Sequence, residues 1–123
     1  MIKMIFCLRR KPGLSLEDFQ SYWYDRHAPL VREHGPALGL RKYVQVHTVP
    51  GPLNDAVRRT RNAPVGYDGV AELWYDEQEL MQKSVTPEGQ RAGQALLEDE
   101  KNFIDHENSP LFFARERPIL GGS

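Results

Sequence analysis

Residues 67–75 read Tyr67-Asp68-Gly69-Val70-Ala71-Glu72-Leu73-Trp74-Tyr75. Their aromatic and aliphatic content marks a strand, and successive strand side chains point to opposite faces. Val70 and Trp74 therefore share one face, and Ala71, Leu73 and Tyr75 the other. Only Glu72, between Val70 and Trp74, interrupts the apolar character of either side. A strand that is apolar on both faces belongs to a sheet that is covered on both.

Reading toward the C-terminus, Asp76 and Glu79 form a capping box that opens a short helix through Met81 and Gln82. Thr86 as N-cap and Pro87 in the first turn start a second helix, whose stripe Ala92, Ala95, Leu96 and Phe103 runs toward Asp105. Residues 111–115 are the last strand, with Phe112 and Ala114 opposite Leu111 and Phe113. Toward the N-terminus, 51–66 is a long excursion with glycine at both ends, a helical turn near 54–59 and a solvated run of Arg58, Arg59 and Arg61. Residues 40–49 alternate as a strand, with Val44, Val46 and Thr48 against Tyr43, Gln45, His47 and Val49, and Pro50 closes it. Residues 2–9 form the first strand, with Ile2, Met4, Phe6 and Leu8 against Ile5 and Cys7, and Lys11-Pro12-Gly13 stops it. Ser15 and Asp18 then cap a helix whose buried stripe is Leu16, Phe19, Trp23, His27 and Leu30. Pro29 has no N–H for the Asp25 carbonyl, which predicts that this helix ends or kinks near His27.

The order β-α-β-β-α-β predicts an α+β, ferredoxin-like fold: a four-stranded antiparallel sheet with its helices on one face. The other face is apolar too and needs a cover, because monomers seldom expose so large a patch. A second copy that closes two sheets into a barrel supplies one, so the chain is expected to be a homodimer. The alternative is that the 51–66 excursion or the C-terminal tail folds over the sheet.

With 123 residues the chain is expected to be one domain over 1–123. A formal net charge of -1 argues against nucleic acid as partner. No apolar run reaches the ~20 residues of a membrane helix and no leader opens the chain, so it is expected to be cytoplasmic and free of the membrane. The single cysteine, Cys7, has no internal partner and reads as an inert thiol in a strand. No cluster has metal-ligand spacing, and no phosphate loop or nucleophile elbow is present, so neither metal nor cofactor is expected.

Few polar residues interrupt the apolar pattern. His27 falls where the helix is expected to break, at the negative end of its dipole, and suits acid/base work near neutral pH; hydrogen bonding to the broken helix end explains it equally well. Glu72 either works or pairs with Arg9 or Lys42, since an unpaired carboxylate there is costly. Tyr43 and His47 share a strand face and offer a hydroxyl and an imidazole, though a half-exposed face explains them too, while His34 and His106 read as surface or loop residues.

The block Phe6-Cys7-Leu8-Arg9-Arg10-Lys11-Pro12-Gly13-Leu14-Ser15, with Asp18-Phe19, Tyr22-Trp23 and His27-Ala28-Pro29-Leu30-Val31, closely resembles the EthD family, named for ethyl tert-butyl ether degradation. The likeness continues through Arg41-Lys42-Tyr43, Gly69-Val70-Ala71-Glu72-Leu73-Trp74 and Phe103-Ile104-Asp105. It implies a dimeric α/β barrel, a group that includes cofactor-independent monooxygenases, polyketide cyclases, muconolactone isomerases and haem-handling proteins. Methylmuconolactone isomerases share a helix-one histidine and a strand-two Lys-Tyr, which correspond to His27 and Lys42-Tyr43. The resemblance thus implies a cofactor-independent enzyme acting on a small apolar or aromatic molecule, with His27 and Tyr43 catalytic and Trp23, His47, Glu72 and Trp74 contacting substrate. Isomerisation, cyclisation, dehydration and oxygenation all remain open. So do a non-catalytic protein that carries a hydrophobic ligand or supports a degradative oxidase, and haem binding through a histidine.

Overall fold

Four strands, β1 (Ile2–Leu8), β2 (Leu40–His47), β3 (Gly69–Tyr75) and β4 (Leu111–Ala114), make one antiparallel sheet in the order β2-β3-β1-β4. The computed structural model describes residues 1–121 and has the expected ferredoxin-like α+β arrangement. Between β1 and β2 run α1 (Leu16–Tyr22), a π turn (Trp23–His27), α2 (Ala28–His34) and a 3-10 turn (Gly35–Leu38). Gly39, at φ 78, adopts the left-handed conformation that ends this helical run. The 51–66 excursion holds a nine-residue helix, α3 (Pro52–Thr60), longer than the single turn expected, and none of its residues is buried. Two helices, α4 (Glu77–Ser84) and α5 (Pro87–Glu100), connect β3 to β4. No helix among the described residues is long and apolar enough to cross a membrane.

Strand register assigns every side chain to a face. Phe6 lies opposite Ala71, Met4 opposite Leu73 and Ile2 opposite Tyr75, while Tyr43 and Gln45 lie opposite Leu73 and Ala71. These point toward the helices, where Phe6, Leu8, Phe19, Trp23, Ala71, Phe103 and Ile104 pack into the core. Burying each of the large side chains contributes about 1.5–3 kcal/mol, and this anchors the helices to the sheet.

The outer face is less apolar than the sequence suggested. Lys3 stands between Ile2 and Met4, on the side of Ile5 and Cys7, and its Nζ is 2.5 Å from Glu72 Oε1. Lys3 is therefore the partner of Glu72, in place of Arg9 or Lys42. Arg9 is engaged elsewhere, donating to the Val65 and Gly66 carbonyls and lying 4.4 Å from the Tyr67 ring. Lys42 and Lys3 lie 4.6 and 4.7 Å from the Trp74 ring, and Glu116 of the tail accepts from Trp74 Nε1 at 3.1 Å. Around this charged centre remain Ile5, Cys7, Val44, Val46, Val70 and Phe112; Val46 is 44% and Phe112 50% exposed. Cys7 is half-buried, and burial pushes its thiol up, as an inert role requires.

Candidate functional site

The site begins at Pro29. Its missing N–H would break an α-helix, yet the chain stays helical because the turn before it widens: the Ala28 N–H donates to the Trp23 carbonyl five residues back. The end or kink expected near His27 takes the form of a π turn within a continuous helical run to His34. The extra residue also shifts the buried stripe, so that Val31 is buried where Leu30 was expected and Leu30 is half-buried. His27 is 5% exposed inside this run, so no helix end holds it.

Asp99 of α5 holds it instead. The Asp99 Oδ2 lies 2.7 Å from His27 Nδ1, while Tyr22 OH donates to Oδ1 at 2.7 Å and Asn102 Nδ2 donates to Tyr22 OH at 3.1 Å. Burial alone would raise the Asp99 carboxyl, but the hydrogen bonds from Tyr22 and His27 outweigh it and hold the group below its ordinary value. A carboxylate only accepts, so Nδ1 carries the proton and the neutral ring presents its lone pair at Nε2. Among the described residues nothing bonds Nε2, and no fully buried side-chain polar atom is unsatisfied, so Nε2 is open to solvent or ligand.

Trp23 organises the sheet side. A Cβ on Gly69 would lie 2.5 Å from the indole, so the glycine lets the ring seat against β3. From there Trp23 Nε1 donates to Tyr43 OH at 3.1 Å, and Gln45 Nε2 donates to the same hydroxyl and to the Trp23 carbonyl, each at 2.9 Å. With both acceptor positions of its oxygen occupied, the Tyr43 hydroxyl is left to donate. Burial pushes the phenol up, against those two hydrogen bonds, so it stays protonated. His47 stacks on Trp23 with centroids 4.5 Å apart and bonds Gln45 Oε1 at 2.8 Å; burial pushes its imidazole down.

Between helices and sheet lies a cavity of about 40 Å³ lined by His27, Tyr43 and Glu100 amid Phe6, Leu8, Trp23, Val31, Ala71, Leu73, Leu96 and Ile104. A wider cleft of about 220 Å³, lined by Tyr24, Ala28, Arg32, Tyr43, Gln45 and His47, shares Tyr43 with it. An apolar hollow with a few convergent polar groups is the usual form of a small-molecule site. His27, Tyr43 and Trp23 thus meet at one cavity and His47 at the adjoining cleft, whereas Glu72 and Trp74 lie on the opposite face of the sheet. Among the described residues no three His, Cys, Asp or Glu side chains are grouped to hold a metal ion. His34 lies 3.8 Å from Glu33, and His106, in the turn after α5, is bonded to Glu100 at 3.0 Å.

Sequence reading passed over Asp99 and Glu100. A signal was present: they continue the buried stripe of Ala92, Ala95, Leu96 and Phe103, and they place negative charge at a helix C-terminus, where the dipole disfavours it.

No curated protein matches the sequence. Several solved structures share the fold. An EthD family protein of Bacillus halodurans C-125 superposes with a TM-score of 0.59 at 23% identity, covering 95% of this chain and 100% of that one. SnoaB, a cofactor-independent oxygenase from Streptomyces nogalater, does so with 0.52 at 12% identity, covering 98% and 97%. A dimeric ferredoxin-like protein of unknown function from Thermobifida fusca YX gives 0.54 at 12%, covering 92% and 88%. Such identities speak for the fold alone. The family model of the EthD domain matches residues 11–107, most of the chain, and the chain therefore belongs to the EthD family.

Proposed function

We propose that this EthD protein is a cofactor-independent acid–base enzyme acting, as a homodimer of one-domain chains spanning 1–123, on a small apolar or aromatic organic molecule. The observation that carries the reading is the His27 ring, fixed at Nδ1 by Asp99 and open at Nε2 beside an apolar cavity. A ring so oriented takes or gives a proton at one defined atom, as general acid–base catalysis requires. The Tyr43 hydroxyl, held as a donor, suits a carbonyl oxygen that gains charge as the proton leaves. Trp23 and His47 shape the walls; Glu72 and Trp74, on the other face, belong to the dimer contact. SnoaB, a cofactor-independent oxygenase, supports chemistry without a cofactor, and the dimeric Thermobifida fusca protein supports the assembly.

The test is a thermal-shift screen of aromatic and lactone metabolites, because a ligand that binds only the folded state raises Tm. Each hit is then followed for conversion by NMR. Turnover by the wild type, lowered about 10²–10⁴-fold in His27→Gln with binding retained, is the expected result. A hit bound but never converted would make the protein a carrier instead.

A further inference from the structure

Asp99 reaches the cavity only through His27, and a second acidic group lines the cavity itself. Glu100 follows Asp99 on α5, lines the same cavity as His27 and Tyr43, and has a side chain only 19% exposed. Its Oε1 accepts from His106 Nε2 at 3.0 Å, and no described residue donates to Oε2. The groups around it are His27 from the π turn, Tyr43 from β2, Tyr75 from β3, His106 beyond α5 and Asp99 on its own helix. Burial, with the Glu100 charge added, keeps both phenols protonated and pushes Tyr75 up to about 12. Glu98, one position away from Asp99, differs: it lies at the surface, bonded to Gln94 and Lys101. A carboxylate at a helix C-terminus, half satisfied beside an apolar hollow, is costly for the fold and useful for proton transfer.

The geometry points to Glu100 as a second proton-transfer group of this site, positioned by His106, and hence to a β,γ-unsaturated carbonyl compound that loses a proton from the carbon between its carbonyl and its double bond and regains one at the far end of that double bond, whose electron pair forms the new C–H bond. This rests on the acid–base reading of His27. The Glu100 carboxylate takes the proton from the carbon beside the carbonyl, breaking that C–H bond. Its electron pair forms a carbon–carbon double bond, and the carbonyl π pair moves onto oxygen, which accepts the Tyr43 O–H. The His27 imidazolium, paired with Asp99, gives its Nε2 proton to the far carbon, and the double bond shifts as the carbonyl re-forms. Water in the cleft then removes the proton from Glu100 and restores that of His27. The substrate is isomerised and no electrons are gained or lost.

The probe is 3-cyclohexen-1-one, whose isomerisation to the conjugated ketone is followed by ultraviolet absorbance, with the wild type, His27→Gln, Glu100→Gln and Glu98→Gln. Acceleration by the wild type, a loss of about 100-fold in each of His27→Gln and Glu100→Gln, and none in Glu98→Gln are expected. In D₂O the first turnovers should place solvent deuterium at the far carbon, because the group that delivers is not the one that removed. Wild-type speed in Glu100→Gln with His27→Gln inactive overturns this inference and spares the reading beneath it; wild-type speed in His27→Gln overturns that reading. A wild type no faster than buffer overturns the substrate class. If Glu100→Gln does not fold, His106→Asn leaves both carboxylates in place: a lower rate with a displaced acid limb of the pH–rate profile supports the inference, and an unchanged profile overturns it.

Discussion

The Tyr43 oxygen receives two donors, and both lose this acceptor in Tyr43→Phe. Trp23 Nε1 would then be left unpaired in the interior and the Gln45 amide would keep only its bond to the Trp23 carbonyl, which costs about 1–3 kcal/mol. Urea unfolding of the variant measures this, and unchanged stability would show that the bonds do not persist in solution. Acid should weaken the fold in two steps. Above pH 6.5, the ordinary value for histidine, His47 is neutral whether folded or not; below it the unfolded chain takes up a proton that the buried ring resists, and stability falls. Asp99 stabilises the fold above its ordinary value of 3.8, and that contribution is lost as pH falls through its lower folded value. Asp99→Asn should shrink the second step, to which the exposed Glu79 and Glu116 add, and leave the first, as thermal unfolding between pH 7 and 3 would record. Trp23, His27 and Tyr43 were legible in the sequence because polar or amphipathic groups stand out in an apolar stripe. Asp99 and Glu100 carried only the weaker signal of stripe periodicity, because carboxylates near a helix end look solvated until the opposite helix shows what they face.

Elements were legible to within a few residues, and the exceptions have physical causes. Pro29 predicts an end or a kink near His27, and the irregularity that occurs there is a π turn, which absorbs the proline and advances the buried face from Leu30 to Val31. Alternation identified both sheet faces but not the cross-strand pairing of Lys3 with Glu72, which depends on register. The contact between the π turn and β3 depends on Gly69. Gly69→Ala would drive a methyl into the indole, with an overpacking cost of about 1–3 kcal/mol, and would part Trp23 from Tyr43. A lower urea midpoint together with altered tryptophan fluorescence is expected. Unchanged fluorescence would mean that Trp23 does not seat against β3.

At the scale of the molecule the sheet has two unlike faces. One closes over the cavity, and the other surrounds the Lys3–Glu72 pair with half-exposed apolar side chains, an arrangement suited to a two-fold contact. Sedimentation should give twice 14.1 kDa, and Val46→Asp, on the edge strand beside Val70, should shift the protein toward monomer. A clean 14.1 kDa species of the wild type would refute the dimer. The acid–base site is tested most directly by long-range ¹H–¹⁵N NMR of the His27 ring in its neutral form. Nδ1 should carry the proton and Nε2 the free lone pair, with Asp99→Asn reversing the two. A proton found on Nε2 of the neutral ring in the wild type would mean that Asp99 does not hold Nδ1, and would contradict the proposed role.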